Sequence, residues 1–128
     1  MSSLILELKQ GESMILNGAV IRFKTRARLE LNNHARFLFG KQIMQVEDAV
    51  TPARRVYFAL QQAYIGPEEE RVAALAGAKE AATAELAAAP EAEKAAWAAL
   101  LSLIAAETGF EALKYARGMV RAEEKFKS

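Results

Sequence analysis

Met14-Ile15-Leu16-Asn17-Gly18-Ala19-Val20-Ile21-Arg22-Phe23 decides how the chain begins. Two short apolar runs flank an Asn-Gly pair. Both residues tolerate positive φ, as the tight two-residue hairpin turn requires, so the stretch reads as a β-hairpin. Toward the N-terminus, Leu4, Leu6 and Leu8 alternate with Ile5, Glu7 and Lys9. A period of two with one apolar face marks a strand. Gln10-Gly11-Glu12-Ser13 reads as the turn between that strand and the hairpin. Toward the C-terminus, Arg28-Leu29-Glu30-Leu31 is another strand, closed by Asn32-Asn33. His34-Ala35-Arg36-Phe37-Leu38-Phe39 then completes a second hairpin ahead of Gly40. The expectation is four to six short, mostly antiparallel strands in a meander or partial barrel.

Beyond residue 50 the period changes. Thr51 is a good N-cap, and Pro52 suits the first helical position, where no N–H is needed. Ala53, Val56, Tyr57, Leu60, Ala63 and Tyr64 form one apolar stripe at helical spacing, so a helix runs to about Ile65. Gly66-Pro67 stops it and starts another, with Glu68, Glu69 and Glu70 in a first turn where the helix dipole favours acids. From Ala73 to Ala106, 17 of 34 residues are alanine, the strongest helix former. Such a stretch reads as a helical surface for close packing. Pro90 interrupts it. Trp97, Leu100, Leu101 and Ile104 share a face after the restart. Thr108-Gly109-Phe110-Glu111 matches a capping box for a last helix to about Glu124. The fold class is α+β: an antiparallel β meander or partial barrel followed by three to four α-helices. Residues 1–50 form a β-rich basic part, and residues 51–128 a helical, alanine-rich part packed on it or on a partner.

At 128 residues the chain can bury about two-thirds of its unfolded surface without staples. It has no Cys, which removes disulfides, thiolate metal sites and Cys nucleophiles. One His removes a multi-His metal site within one chain. No stretch approaches a membrane span, and Glu7 ends the only early apolar run, so a cytoplasmic protein without a signal peptide is expected. The net charge of +1 hides an asymmetry. Residues 1–65 carry nine Lys/Arg against five acids, a balance of +4, and residues 66–128 carry eight against eleven, a balance of −3.

Catalytic groups are hard to assemble. There is no nucleophile elbow, phosphate-binding glycine loop or zinc-protease motif. His34 follows Asn32-Asn33 and reads as a surface turn residue. Glu68-Glu69-Glu70 are adjacent on a helix and do not share one face. No enzyme activity, metal or cofactor is expected. The sharpest feature is cationic. Arg22, Lys24, Arg26 and Arg28 all hold even positions with no acid between them. On an extended chain they project from one side and repel one another, which favours an opposing negative surface such as a nucleic-acid backbone. Arg36 extends the patch, with Phe37 and Phe39 nearby for base stacking. The competing reading is a charged edge strand that blocks sheet-to-sheet pairing. Arg54-Arg55 is a second anomaly, since cations in a first helical turn face the positive end of the dipole. Glu47 and Asp48 are candidate internal partners; an RNA phosphate is the alternative.

Two blocks resemble a known family. Leu6-Glu7-Leu8-Lys9-Gln10-Gly11-Glu12 with Ile15-Leu16-Asn17-Gly18-Ala19-Val20, and Thr51-Pro52-Ala53-Arg54-Arg55-Val56-Tyr57-Phe58-Ala59-Leu60-Gln61, resemble FlbT, the flagellar biosynthesis repressor of alphaproteobacteria. They cover roughly residues 4–65. The resemblance implies a post-transcriptional regulator of flagellin that associates with the 5′ untranslated region of flagellin mRNA. It promotes decay or blocks translation in some species and favours flagellin production in others. It also implies a small protein partner, FlaF. A shorter likeness, Leu4-Ile5-Leu6 with Gly11-Glu12-Ser13 and Ile15, is similar to the first strand and turn of the carbon storage regulator family, β-rich proteins that bind mRNA leaders. The RNA-binding candidates are Arg22, Lys24, Arg26, Arg28, Arg36, Arg54 and Arg55. The alternative is a protein-interaction adaptor for FlaF, flagellin or a second copy. In that reading, Phe58 and Ile65 either face the partner or form a second packing face. The exposed strand edge of the front half makes a symmetric homodimer an expectation too.

Overall fold

Asn17 and Gly18 both adopt positive φ, 49° and 89°, in a computed structural model that describes residues 4–32, 36–106 and 109–125. They turn β2 (Ser13–Leu16) into β3 (Ala19–Arg22), with Leu16 opposite Ala19 and Ser13 opposite Arg22. The hairpin read from the sequence is therefore formed. The chain divides into two compact units, Met1–Ile43 and Met44–Ser128.

The first unit has five strands among its described residues, completed by β1 (Leu4–Leu8), β4 (Ala27–Leu31) and β5 (Phe37–Phe39). They form a two-stranded sheet, β1-β4, and a three-stranded sheet, β3-β2-β5, all antiparallel. Among the described residues the expected second hairpin, β4 with β5, is not formed. β4 instead pairs along its whole length with β1, which brings Leu6 opposite Leu29 and Glu7 opposite Arg28. This register keeps the leucines on one face and sets opposite charges across from each other. β5 pairs with β2, placing Met14 against Phe39 and Leu16 against Phe37. Asn33 of the expected Asn32-Asn33 turn, and His34 and Ala35 at the start of the expected return strand, lie outside the described residues. Leu6, Leu8 and Met14 form the buried centre. Leu16, Phe23, Leu29, Leu31, Phe37 and Phe39 pack against it, so both sheets share one apolar cluster.

The second unit begins with a short 3₁₀ turn, Val46–Asp48. Four helices follow among its described residues: α1 (Pro52–Ile65), α2 (Glu68–Ala88), α3 (Glu91–Ala105) and α4 (Phe110–Lys125). The Thr51 hydroxyl caps α1 by accepting the Arg54 N–H at 3.2 Å, and Pro52 opens the helix as expected. Gly66 ends it for reasons of space. Its φ of −72° suits any residue, but a Cβ there would lie 2.4 Å from the Gln62 carbonyl oxygen. Pro67 and Pro90 stand immediately before α2 and α3. The Thr108 half of the proposed α4 capping box lies outside the described residues.

α1 packs against α2 and α4, and α3 packs against the same two, closing a four-helix arrangement. Its buried side chains include Val56, Trp97, Leu100, Ile104 and Leu113. α2 buries only Ala78 and Ala82, so these two alanines serve close packing, while Ala73, Ala76, Ala84, Ala87 and Ala88 are exposed. Ile65 is buried, which removes it as a partner-facing residue; Phe58 is half-buried. Gln61 is buried as well. Its amide donates to the Met44 carbonyl at 3.0 Å and accepts the Met44 N–H at 2.7 Å, tying the segment before α1 to the helix. Among the described residues no helix is long and apolar enough to cross a membrane.

Candidate nucleic-acid interface

Arg22, Lys24, Arg26 and Arg28 are all exposed, but they do not lie on one extended strand. Arg22 ends β3, Lys24 and Arg26 sit on the bend 23–26, and Arg28 belongs to β4. The expected one-sided row is thus a cationic loop with its two feet in different sheets. The cause lies in Phe23. Its N–H donates to the Glu12 carbonyl at 2.9 Å and its carbonyl accepts the Gly11 N–H at 2.7 Å, while its ring joins the apolar cluster. Phe23 therefore ends the ladder, and the chain must cross to the other sheet within four residues. Among the described residues none of the four cations has an ion-pair partner within 4.0 Å. Glu7 stands across from Arg28 in the register and tempers that cation alone.

Edge protection accounts for part of this. β3 is an edge strand, and all four of its residues are exposed. Arg22 and Arg28 lie on strand edges; Lys24 and Arg26 do not. A loop has no ladder to protect, so their charge calls for another explanation.

Arg36 does not extend the patch. Its N–H donates to Asn17 Oδ1 at 3.1 Å, and its carbonyl accepts the Asn17 N–H at 2.8 Å. That places it beside the β2–β3 turn on the β5 side of β2, while Arg22 is at the far end of β3, about 10 Å further along the strands and two strands across. Phe37 and Phe39 are not free platforms for bases. Their rings stack on each other, 6.2 Å between centroids, and pack onto the buried cluster.

Arg54 and Arg55 are held internally, though not by Glu47 or Asp48. Arg54 pairs with Glu124 of α4 at 3.4 Å, and Arg55 donates to the Val50 carbonyl at 3.2 Å. Beside them, the Glu123 carboxylate accepts the Ala53 N–H at 3.1 Å and the Thr51 hydroxyl through its other oxygen. α4 thus supplies an anion to the start of α1, where free N–H groups and the dipole favour one. A phosphate arriving there would meet two carboxylates already in place. Glu123 and Glu124 escaped the sequence reading. Their signal was that acids at a helix C-terminus oppose their own dipole, a misplacement that mirrors Arg54-Arg55. One turn further along the same seam, Tyr57 is buried, and burial raises its pKa above the ordinary tyrosine value against an opposing contribution from Arg117.

Among the described residues no group of three His, Asp or Glu side chains could hold a metal ion.

Comparison with known proteins adds a family. The family described as "Flagellar protein FlbT" matches residues 4–126. A protein of Agrobacterium fabrum named "Probable flagellum biosynthesis repressor protein FlbT" is 33% identical over 127 residues, 99% of this chain and 85% of that protein. A Rhizobium etli protein of the same name is 32% identical, covering 96% of this chain and 83% of its own length. One from Brucella ovis is 45% identical over a shorter span of 62 residues, 48% of this chain and 41% of that protein. No solved structure matches the chain at a significant level.

Proposed function

Because the chain belongs to the FlbT family of flagellar proteins, we propose that it regulates flagellin expression after transcription, without catalysis, by binding the 5′ untranslated region of flagellin mRNA through the β3–β4 loop. The observation that carries this reading is the set of exposed cations Arg22, Lys24, Arg26 and Arg28, with no ion-pair partner among the described residues. Relatives named as repressors of flagellum biosynthesis support the regulatory role. The RNA backbone would lie along the loop and draw its affinity from phosphate contacts, which position a protein without reading sequence. Discrimination between leaders would come from other contacts or from RNA shape. The site of action is the cytoplasm, where mRNA leaders meet ribosomes.

The test is direct binding of the purified chain to a flagellin leader across a salt series. Each phosphate contact to a single strand contributes about −0.7 to the slope of log affinity against log salt, so four contacts give roughly −3. A slope near zero, or no binding at low salt, would remove the loop as an RNA interface and leave the adaptor reading in front.

A further inference from the structure

The outer face of α4 offers a groove that the four-helix packing does not use. Tyr115, Gly118, Met119 and Ala122 of α4 and Leu103 of α3 line an open, largely apolar hollow of about 500 Å³. Gly118 lies midway along the helix, where glycine is destabilising relative to alanine. Apart from its chain neighbours and the adjacent backbone of its own helix, no described atom lies within 4 Å of the place its Cβ would occupy, so packing within the chain does not require the glycine. Without a side chain at that point, another backbone can approach closely.

Charge flanks the hollow on one side. Lys114, Arg121 and Lys125 recur at intervals of seven and four, which places them along one edge of the helix, and all three are exposed. Among the described residues none of them has an ion-pair partner within 4.0 Å. Among the described residues that line the hollow Glu111 is the one acid, at its N-terminal end. A second copy docking through the same face would bring the same excess of cations and be repelled. An RNA strand would find its phosphates beside one edge but only one aromatic ring, Tyr115, for its bases, the rest of the floor being Leu103, Met119, Ala122 and the bare backbone of Gly118.

The geometry points to this groove as the docking site for an acidic amphipathic helix of a partner protein. The apolar side of that helix fills the hollow over Gly118, and its acids, spaced to match, pair with Lys114, Arg121 and Lys125. From Glu111 to Ala122 the groove runs about 16 Å at 1.5 Å per residue, so roughly three turns of the incoming helix engage it. The site is independent of the RNA reading above.

The probe is a fluorescent peptide of about eighteen residues, long enough to be partly helical alone, built from Leu, Ala and Glu with one apolar face flanked by Glu. Fluorescence anisotropy with the full chain should show binding that weakens with salt. Gly118→Leu, which fills the groove with a strong helix former and keeps the circular dichroism of the fold, should weaken it about tenfold or more. Lys114→Glu with Arg121→Glu should weaken it to a similar degree, about tenfold, and a peptide carrying Lys in place of Glu should recover binding to that double variant. Three results would overturn the proposal: no binding at millimolar peptide, unchanged affinity in Gly118→Leu, or failure of the charge swap. Displacement of the peptide by single-stranded RNA, with loss of RNA binding in the Lys114→Glu, Arg121→Glu variant, would assign the face to nucleic acid instead.

Discussion

At the start of α1, Arg54 and Arg55 stand at the positive end of a helix dipole; on the β3–β4 loop, Arg22, Lys24, Arg26 and Arg28 stand beside one another. Both clusters look unfavourable in their local sequence. The first is answered from within the chain: Glu124 pairs with Arg54 at 3.4 Å, and Glu123 accepts the Ala53 N–H at 3.1 Å. The second has no such answer among the described residues. A cation crowd becomes a candidate interface only after the chain's own acids have been placed. Those acids can lie 70 residues away, as Glu123 and Glu124 do.

The largest expected effect strikes the answered cluster. Glu123→Gln removes the charge that two donors of the Thr51–Ala53 segment share, while the Arg54–Glu124 pair stays in place. Charge-assisted hydrogen bonds of this kind contribute about 1.5–3 kcal/mol, so chemical denaturation should show a loss of about 2 kcal/mol. Wild-type stability would mean that α1 does not depend on α4 for its start, and the contrast between the clusters would collapse.

Alkaline pH probes the same seam. Tyr57 has a pKa raised chiefly by burial. A tyrosine that holds its proton longer folded than unfolded contributes stability that is fully present below the unfolded pKa, about 10. That contribution is lost as pH rises through the folded value, because the unfolded state loses its proton first. Stability should therefore fall above about pH 10, and the fall should be shallower in Tyr57→Phe. An identical pH profile in the variant would mean that Tyr57 is not buried in solution.

A smaller effect is expected at Arg54. Its pair with Glu124 is partly exposed, 29% and 55%, and surface pairs contribute little. Arg54→Ala removes that pair together with an adverse charge–dipole contact, so stability should stay within about 0.5 kcal/mol of wild type. A loss several times larger would show that the arginine, rather than Glu123, holds the helix start.

What could be read in advance follows the range of the interactions. The Asn17-Gly18 turn, the Thr51 cap, Pro52 and the helix breaks at Gly66-Pro67 and Pro90 are decided by residues within a few positions of one another, and each was legible. The pairing of β4 with β1 was not, because nothing in Asn32-Asn33 says that Leu29 will find Leu6. Gln61 was hidden for a related reason. A buried glutamine makes sense only once the backbone of Met44 is known to lie beside it. At the candidate interface the residue types were legible and their arrangement was not. Alternation suggested one strand, but Phe23 joins the apolar cluster and turns the row into a loop.

The central claim is that the loop cations meet RNA while the α1 cations serve the fold. Salt dependence of leader binding separates them in one experiment, with Arg22→Gln, Arg26→Gln set against Arg54→Gln, Arg55→Gln. The first variant should fold as wild type, since its side chains are exposed and mutually repelling. It should flatten the salt slope by roughly 1.4, two contacts at about 0.7 each. The second should leave the slope unchanged. An unchanged slope in the loop variant, or an equal flattening in both, would contradict the account.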